Sequence, residues 1–82
     1  MHYVYIVRCA DGTLYTGYAV DPTARVLKHN AGRGAKYTAS RRPVTLVHTE
    51  RFRTRSRALK REHALKRLTR AEKHALIAGD VR

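Results

Sequence analysis

Two tyrosines ten residues apart are the first candidates for chemistry in this chain of 82 residues. Tyr5 lies in a strand-forming run, residues 2–9, and Tyr15 lies in a second such run, residues 13–19. A phenol, whose ordinary pKa is about 10, accepts a proton only where neighbouring cations or a metal lower that pKa. Two aromatic core residues are the more frequent explanation of such a pair in a hairpin. The pair therefore needs partners before it predicts chemistry.

An arginine and a histidine one helical turn apart form a second pair. Arg25 and His29 follow Asp21 and Pro22, a typical helix start, so they should share one face of a helix. A guanidinium can hold a phosphate through two hydrogen bonds, and an imidazole beside it could transfer a proton. A surface pair, with Asp21 opposite Arg25, explains the spacing equally well.

Glu62 is a lone acid in a basic segment. It lies four residues after Ala58 and three before Leu65, so a helix would point its carboxylate toward the apolar face. One interpretation is a helix ion pair with Lys66, which would contribute about 0.3–0.5 kcal/mol. The other is a ligand for a divalent cation held against a phosphate, because Mg²⁺ takes few protein carboxylates and keeps several waters. The spacing leaves both open.

The charge of the chain indicates a polyanionic partner. It has 18 Lys and Arg against 6 Asp and Glu, a net charge of +12, and thirteen of the basic residues are arginines. Residues 1–24 contain one Arg and two Asp, so the excess lies in residues 25–82. Because the arginine fork matches phosphate oxygens, we expect nucleic acid as the partner. No apolar run approaches the ~18 residues that span a bilayer, and no signal-peptide pattern opens the chain, so we expect a cytoplasmic protein without a membrane partner.

The other reactive residues predict no site. Cys9 is the single cysteine, so neither a disulfide within the chain nor a cysteine zinc site is expected, and we predict a buried strand residue there. The remaining histidines lack the spacing of a transition-metal site: His2, His48, His63 and His74.

The elements that position these residues follow from the same patterns. A three-residue loop with Gly12 in the left-handed conformation would place Tyr5 opposite Gly17, leaving room beside the tyrosine ring. A first helix is predicted over residues 22–31, and residues 32–43 are predicted to be a basic loop. The helix's predicted apolar side consists of Ala24, Val26, Leu27 and Ala31.

The second half of the chain predicts a third strand and two helices. The strand covers residues 44–52, with Val44, Leu46 and His48 on one side. Thr54 or Ser56 should begin a long helix whose inward stripe is Ala58, Leu59, Leu65 and Leu68, and Thr69 should begin a last, short helix. The prediction is one α+β domain, residues 1–82, with a small three-stranded antiparallel sheet flanked by helices in the order β-β-α-β-α-α.

Taken together, these candidate residues and the predicted elements make the chain resemble the GIY-YIG nuclease domain. The resemblance is carried by Tyr3-Val4-Tyr5, by Tyr15-Thr16-Gly17, and by Arg25, His29 and a helical Glu62 in that order. Residues 8–12, 29–38 and 41–43 also resemble the short stand-alone bacterial members of that family. The chain departs from the family pattern at Tyr3, where the name has Gly, at Tyr18, where some members have Lys, and in lacking an Asn in the final helix.

The resemblance implies a metal-dependent endonuclease that hydrolyses a phosphodiester bond in DNA, in DNA processing or repair. It implies that Tyr5 is the general base or activator of the attacking water and that Tyr15 assists by hydrogen bonding. Gly17 would keep the space between strand and substrate open.

Three more roles follow from the resemblance. Arg25 would hold the scissile phosphate, and His29 would relay a proton or orient Tyr5. Glu62 would bind one divalent ion, Mg²⁺ or Mn²⁺, which would stabilise the leaving oxygen.

The basic segments are predicted to contact the DNA backbone. The predicted contacts are Arg33, Lys36, Arg41 and Arg42 in the loop, Arg53, Arg55 and Arg57 near the long helix start, and Tyr37 as a base-stacking platform. We expect no separate targeting domain, so substrate choice would come from these residues or from a partner protein. The choice among single-stranded, duplex and branched DNA stays open, as does an RNA substrate. The alternative is a non-catalytic nucleic-acid-binding module, and the five catalytic candidates together argue against it.

Overall fold

The computed structural model describes residues 1–79, which form a three-stranded antiparallel sheet and four helices. The elements are β1 (His2–Arg8), β2 (Leu14–Ala19), α1 (Pro22–Asn30), α2 (Lys36–Ala39), β3 (Thr45–Phe52), α3 (Arg55–Lys66) and α4 (Arg70–Ile77), and the strand order is β2-β1-β3. The α+β prediction is confirmed, with the short α2 added inside the predicted basic loop. Residues 80–82 of the predicted domain lie outside the described residues. Within residues 1–79, no helix has both the length and the apolar character needed to cross a membrane.

The β1–β2 hairpin has the predicted register. The backbone N–H of Cys9 donates to the carbonyl oxygen of Thr13 at 2.8 Å, which closes a three-residue loop. Gly12 has a φ of 85°, the left-handed conformation that this loop requires. Tyr5 consequently lies opposite Gly17.

The sheet separates two small cores. Val4 and Ile6 of β1 point to one side, where they pack against Ala58 and Leu65 of α3. The alternate residues of β1 point to the other side, toward α1, and pack with Val26. The helices α1 and α3 therefore cover opposite faces of one sheet, and a site shared by both must lie at an edge of the sheet.

The side alternation predicted for β3 is wrong at His48. Ile6 pairs with His48 whereas Val7 pairs with Leu46, so Val47 is an extra residue between the two pairs. A bulge of this kind puts two successive residues on the same side of a sheet. Val47 packs in the core beneath α3, and His48, opposite Ile6, faces the same way rather than the side of Leu46.

Two leucines predicted to face the core are exposed. Leu27 of α1 is 69% exposed, whereas His29 of the same helix is 1% exposed. The buried face of α1 is therefore centred on a polar residue, which a search for apolar periodicity misplaces. On α3, Ala58 and Leu65 are fully buried and Leu59, at 36% exposure, lies at the rim.

Helix starts follow the predicted capping residues. The Asp21 carboxylate accepts a hydrogen bond from the backbone N–H of Ala24, and Thr54 caps α3 in the same way. Thr69 begins α4 with a capping box, in which its hydroxyl accepts from the N–H of Glu72 and the Glu72 carboxylate accepts from the N–H of Thr69.

Asn30 joins the end of α1 to the start of β3. Its side-chain amide donates to the carbonyl oxygen of Val44 at 3.1 Å, and its amide oxygen accepts from the N–H of Val44 at 2.7 Å. Both bonds are partly buried. They hold His29, the preceding residue, in a fixed place relative to the sheet.

We expect the substitution Asn30→Ala to lower the free energy of unfolding by about 1–3 kcal/mol, because it leaves a backbone donor and acceptor of Val44 unpaired. Urea denaturation followed by circular dichroism measures the change. Thr23→Ala, on the exposed side of the same helix, is the matched control and should stay within about 0.5 kcal/mol of the wild type. Equal midpoints for the two variants would contradict the prediction.

Candidate active site

A buried hydrogen bond between Tyr5 and His29 lies at the centre of the site. The Tyr5 hydroxyl oxygen and His29 Nε2 are 2.8 Å apart, and each side chain is only 1% exposed. Tyr5 comes from the middle of β1 and His29 from the last turn of α1. The strand and the helix thus meet through a polar contact in the protein interior, where an unpaired hydroxyl or imidazole would be costly.

Thr38 determines which nitrogen of His29 carries the proton. The Thr38 hydroxyl donates to the carbonyl oxygen of Ala35 at 2.9 Å, which uses its one hydrogen. Its oxygen lies 2.7 Å from His29 Nδ1 and therefore accepts from an Nδ1–H. Nε2 is left as an acceptor, so the Tyr5 hydroxyl donates to it. The N–H of Ala35 also points at Nδ1, but at 3.4 Å it is too long to compete.

Two glycines make room for the paired rings. A Cβ on Gly17 would lie 2.5 Å from the Tyr5 hydroxyl oxygen and 2.6 Å from Cζ. A Cβ on Gly34 would overlap the His29 ring at Nδ1. The space expected at Gly17 between strand and substrate is thus filled by the Tyr5 ring itself.

A row of rings leads from His29 to the surface. The Tyr15 ring meets His29 edge-on, with centroids 5.5 Å apart, and stacks with Tyr37 at 5.9 Å. The guanidinium of Arg41 lies over the Tyr37 ring at 3.9 Å and pairs with Asp11 at 3.1 Å. One face of Tyr37 is therefore covered from within the protein, which leaves less of the ring for the base stacking predicted for it.

Burial keeps Tyr5 and His29, hereafter the dyad, in their neutral forms. Burial raises the pKa of Tyr5 to about 12, the Tyr15 side chain adds to the rise, and the guanidinium of Arg25 beside the hydroxyl opposes it. Burial lowers the pKa of His29, and the positive charge of Arg25 lowers it further. A protonated phenol and a neutral imidazole are the forms that the hydrogen bonds require. Arg25 itself is exposed, so its guanidinium can meet a phosphate.

Glu62 approaches this cluster from α3, which packs against β1 and the edge strand β2. Its side chain is 18% exposed and pairs with Lys66 at 3.2 Å, so the predicted helix ion pair is present. Its negative charge also contributes to the raised pKa of Tyr5, which puts it within electrostatic reach of the dyad. The structure therefore brings Tyr5, Tyr15, Arg25, His29 and Glu62 to one edge of the sheet.

The donor groups around Glu62 determine which metal ions it could bind. Within residues 1–79, no three His, Cys, Asp or Glu side chains are grouped so that they could hold a metal. A zinc or copper cage therefore does not fit the described residues. A single half-buried carboxylate does fit Mg²⁺ or Mn²⁺, which bind through one or two carboxylates, waters and substrate phosphates.

The predicted phosphate contacts differ in their surroundings. Arg41 and Arg42 bond within their own loop: Arg41 donates to the carbonyl oxygen of Tyr37 and Arg42 to that of Ala39, each at 2.8 Å. Their role as phosphate contacts stays a prediction, and their intramolecular bonds favour a role in shaping the loop. The other predicted cations are exposed: Arg33, Lys36, Arg53, Arg55 and Arg57.

Sequence reasoning missed Thr38 and Gly34. Both lie in the segment predicted to be an irregular basic loop, and no periodicity connects them with His29. The signal that could have found them is physical: a buried histidine needs a partner for each ring nitrogen and space for its ring. Thr38, fully buried, is the partner, and Gly34 supplies the space.

Comparison with known proteins identifies the family. Residues 1–75 match the profile described as the GIY-YIG catalytic domain. A UPF0213 protein of Staphylococcus aureus is 62% identical over 76 residues, covering 93% of each chain. One of Natronomonas pharaonis is 57% identical over 79 residues, covering 96% of this chain and 93% of its own.

Two solution NMR structures have the same fold. A UPF0213 protein of Bacillus halodurans is 45% identical with a TM-score of 0.61, covering 94% of this chain and 82% of its own. A protein of E. faecalis is 50% identical with a TM-score of 0.63, covering 95% of this chain and 83% of its own. As the order of its tyrosines, arginine, histidine and glutamate predicts, the chain belongs to the GIY-YIG family, among the short proteins named UPF0213.

Proposed function

We propose that the protein is a divalent-metal-dependent endonuclease that hydrolyses a phosphodiester bond in DNA, in DNA processing or repair. The observation that carries the proposal is the buried chain of hydrogen bonds from Tyr5 through His29 to Thr38. The Tyr5 hydroxyl donates to the acceptor nitrogen of an imidazole whose other nitrogen is held by Thr38. That arrangement suits proton transfer.

The chain's own residues can take a proton from the attacking water. The Tyr5 hydroxyl would give its proton to His29 Nε2 while its oxygen takes the proton of the water, which leaves a neutral phenol beside an imidazolium. The Nδ1–H stays bonded to Thr38, which keeps the ring oriented. The adjacent guanidinium of Arg25 stabilises negative charge that develops on the Tyr5 oxygen, which offsets part of the effect of burial. We assign to Tyr15, which is only half-buried, the hydrogen bond that orients the water.

Two charged side chains would act on the substrate, one directly and the other through a metal ion. The exposed guanidinium of Arg25 would hold the scissile phosphate through paired hydrogen bonds. Glu62 would hold one Mg²⁺ or Mn²⁺, which when bound supplies neutralisation of the charge that develops on the leaving oxygen.

A cleavage assay tests the proposal. Purified protein is incubated with labelled single-stranded, duplex and branched DNA, and with RNA of the same sequence, in Mg²⁺, Mn²⁺ or EDTA. We expect cleavage of at least one DNA substrate with either metal and none in EDTA. DNA binding without cleavage of any substrate would favour the non-catalytic module, and cleavage of RNA alone would overturn the assignment to DNA.

We expect Glu62→Gln to lower kcat for DNA cleavage by at least roughly 10²-fold, because it removes the carboxylate charge that the metal needs. DNA binding measured in EDTA should not weaken. Lys66→Ala is the matched control, since it breaks the same ion pair but keeps the carboxylate. Its kcat at saturating DNA should stay within a few-fold of the wild type. Equal losses in both variants would show that the ion pair, and not the metal, is what cleavage needs.

The rate of cleavage should fall on acidification. Because the pKa of His29 lies below its usual value of 6.5, the imidazole is neutral at pH 7 and can accept the Tyr5 proton. Below that lowered pKa the imidazolium cannot accept it, so the single-turnover rate should drop about tenfold per pH unit. The unfolded chain takes up this proton at higher pH than the folded protein, so stability also begins to fall below about pH 6.5. Circular dichroism at each pH must therefore show that the protein is still folded. A rate that stays flat below the pKa of His29, measured by NMR titration of the folded protein, would remove His29 from the proton path.

A further inference from the structure

A pocket between α4 and the hairpin loop is not part of the site described above. It has a volume of about 200 Å³ and is lined by Thr13, Leu14, Tyr37, Arg70 and Lys73. Two cations, a hydroxyl and the edge of an aromatic ring are thus placed around one hollow. Such a set of groups suits a phosphate with its attached sugar.

The two cations of this pocket are held beside it in different ways. Arg70 donates from Nη2 to the carbonyl oxygen of Gly12 at 3.0 Å, which fixes its guanidinium beside the hairpin loop. A guanidinium has five N–H groups, so others are left for a ligand. Lys73 is half-buried, and burial together with the charge of Lys66 lowers its pKa. An anion in the pocket would relieve both effects.

One ring contact and one electrostatic interaction connect the pocket with the candidate active site. Tyr37, in its wall, stacks on Tyr15, which contacts His29. Lys73 is close enough to Lys66 to feel its charge, and Lys66 pairs with Glu62. The same nucleic-acid strand could therefore reach both places.

A second cation lies at the far end of strand β2 from this pocket. Leu14 lines the pocket at one end of β2, and the guanidinium of Arg55 lies 5.9 Å from the centre of the Tyr18 ring at the other end. Tyr15 and Gly17 lie between them. At about 3.3 Å per residue, the α-carbons of Leu14 and Tyr18 are roughly 13 Å apart, so a cation lies near each end of β2.

We propose that Lys73 and Arg70 bind a phosphodiester of the strand that is cleaved, on the hairpin-loop side of the scissile bond, with Leu14 and Tyr37 against the attached sugar. This inference rests on the proposed function, and it names the place where the substrate strand is held on the side of the hairpin loop.

The salt dependence of DNA binding tests this site. Fluorescence anisotropy in EDTA is measured with a labelled duplex and with one of its strands, for the wild type, Lys73→Ala and Lys60→Ala. Lys60 is exposed on α3, so both variants lose one charge and any general attraction weakens equally. The slope of log K against log[salt] is negative. Loss of one phosphate contact reduces the magnitude of that slope by about 0.9 on the duplex and by about 0.7 on the single strand.

We expect Lys73→Ala to show that reduced slope and Lys60→Ala to keep the wild-type slope. Between about 50 and about 200 mM salt, the affinity of the wild type for the duplex should then fall roughly 3.5-fold more than that of Lys73→Ala. Lys73→Arg should restore the slope, which separates loss of the contact from damage to α4.

The outcomes separate the two proposals. Equal slopes for Lys73→Ala and Lys60→Ala would overturn the phosphate site while leaving cleavage by the wild type untouched. A reduced slope with Lys73→Ala in a protein that cuts no DNA would keep the site and reject the endonuclease. Absence of any DNA binding by the wild type would overturn both.

Discussion

The structure depends on one constraint: the hydroxyl of Tyr5 and the ring of His29 are both buried and must satisfy each other. Their 2.8 Å bond leaves one nitrogen of the imidazole to be paired, and Thr38 pairs with it. The two rings also need space, which exists because residues 17 and 34 are glycines. The loop between α1 and β3 is therefore folded around the histidine, and its short helix α2 is the means by which Thr38 arrives there.

This constraint explains the division of charge along the chain. A net charge of +12 cannot be placed inside so small a protein, so the cations surround the dyad and do not enter it. The dyad stays neutral because burial raises the pKa of Tyr5 and lowers that of His29. Positive charge at the rim then has two effects: it attracts a phosphate backbone, and it stabilises any negative charge that forms on the tyrosine.

Most of the fold could be predicted because short-range rules determine it. The hairpin register follows from a loop of three residues with one left-handed glycine, and the helix starts follow from Asp21, Thr54 and Thr69. The bulge in β3 could not be predicted, because it depends on how Val47 packs against α3 and not on its neighbours in the chain.

The structure brings the five predicted catalytic candidates together, whereas sequence patterns did not find the residues that support them. Spacing on one helix grouped Arg25 with His29, and the family resemblance favoured the catalytic interpretation of the tyrosines and of Glu62, which spacing alone left open. Apolar periodicity wrongly placed Leu27 on the buried face of α1, because the method takes the buried face of a helix to be apolar. Thr38 was missed for the same reason: a polar partner of a buried polar group leaves no periodic signal.

The burial of Tyr5 and His29 connects the stability of this small protein with its proposed chemistry. A chain of this length buries a modest core, roughly 60% of the surface of its unfolded form, and here Tyr5 and His29 occupy two of the most buried positions. Their polar atoms contribute less to stability than hydrocarbon of the same volume, unless every one is hydrogen-bonded. Loss of Thr38 or of either glycine would therefore act on the dyad and on the core together. Stability and the proposed chemistry therefore depend on the same few residues.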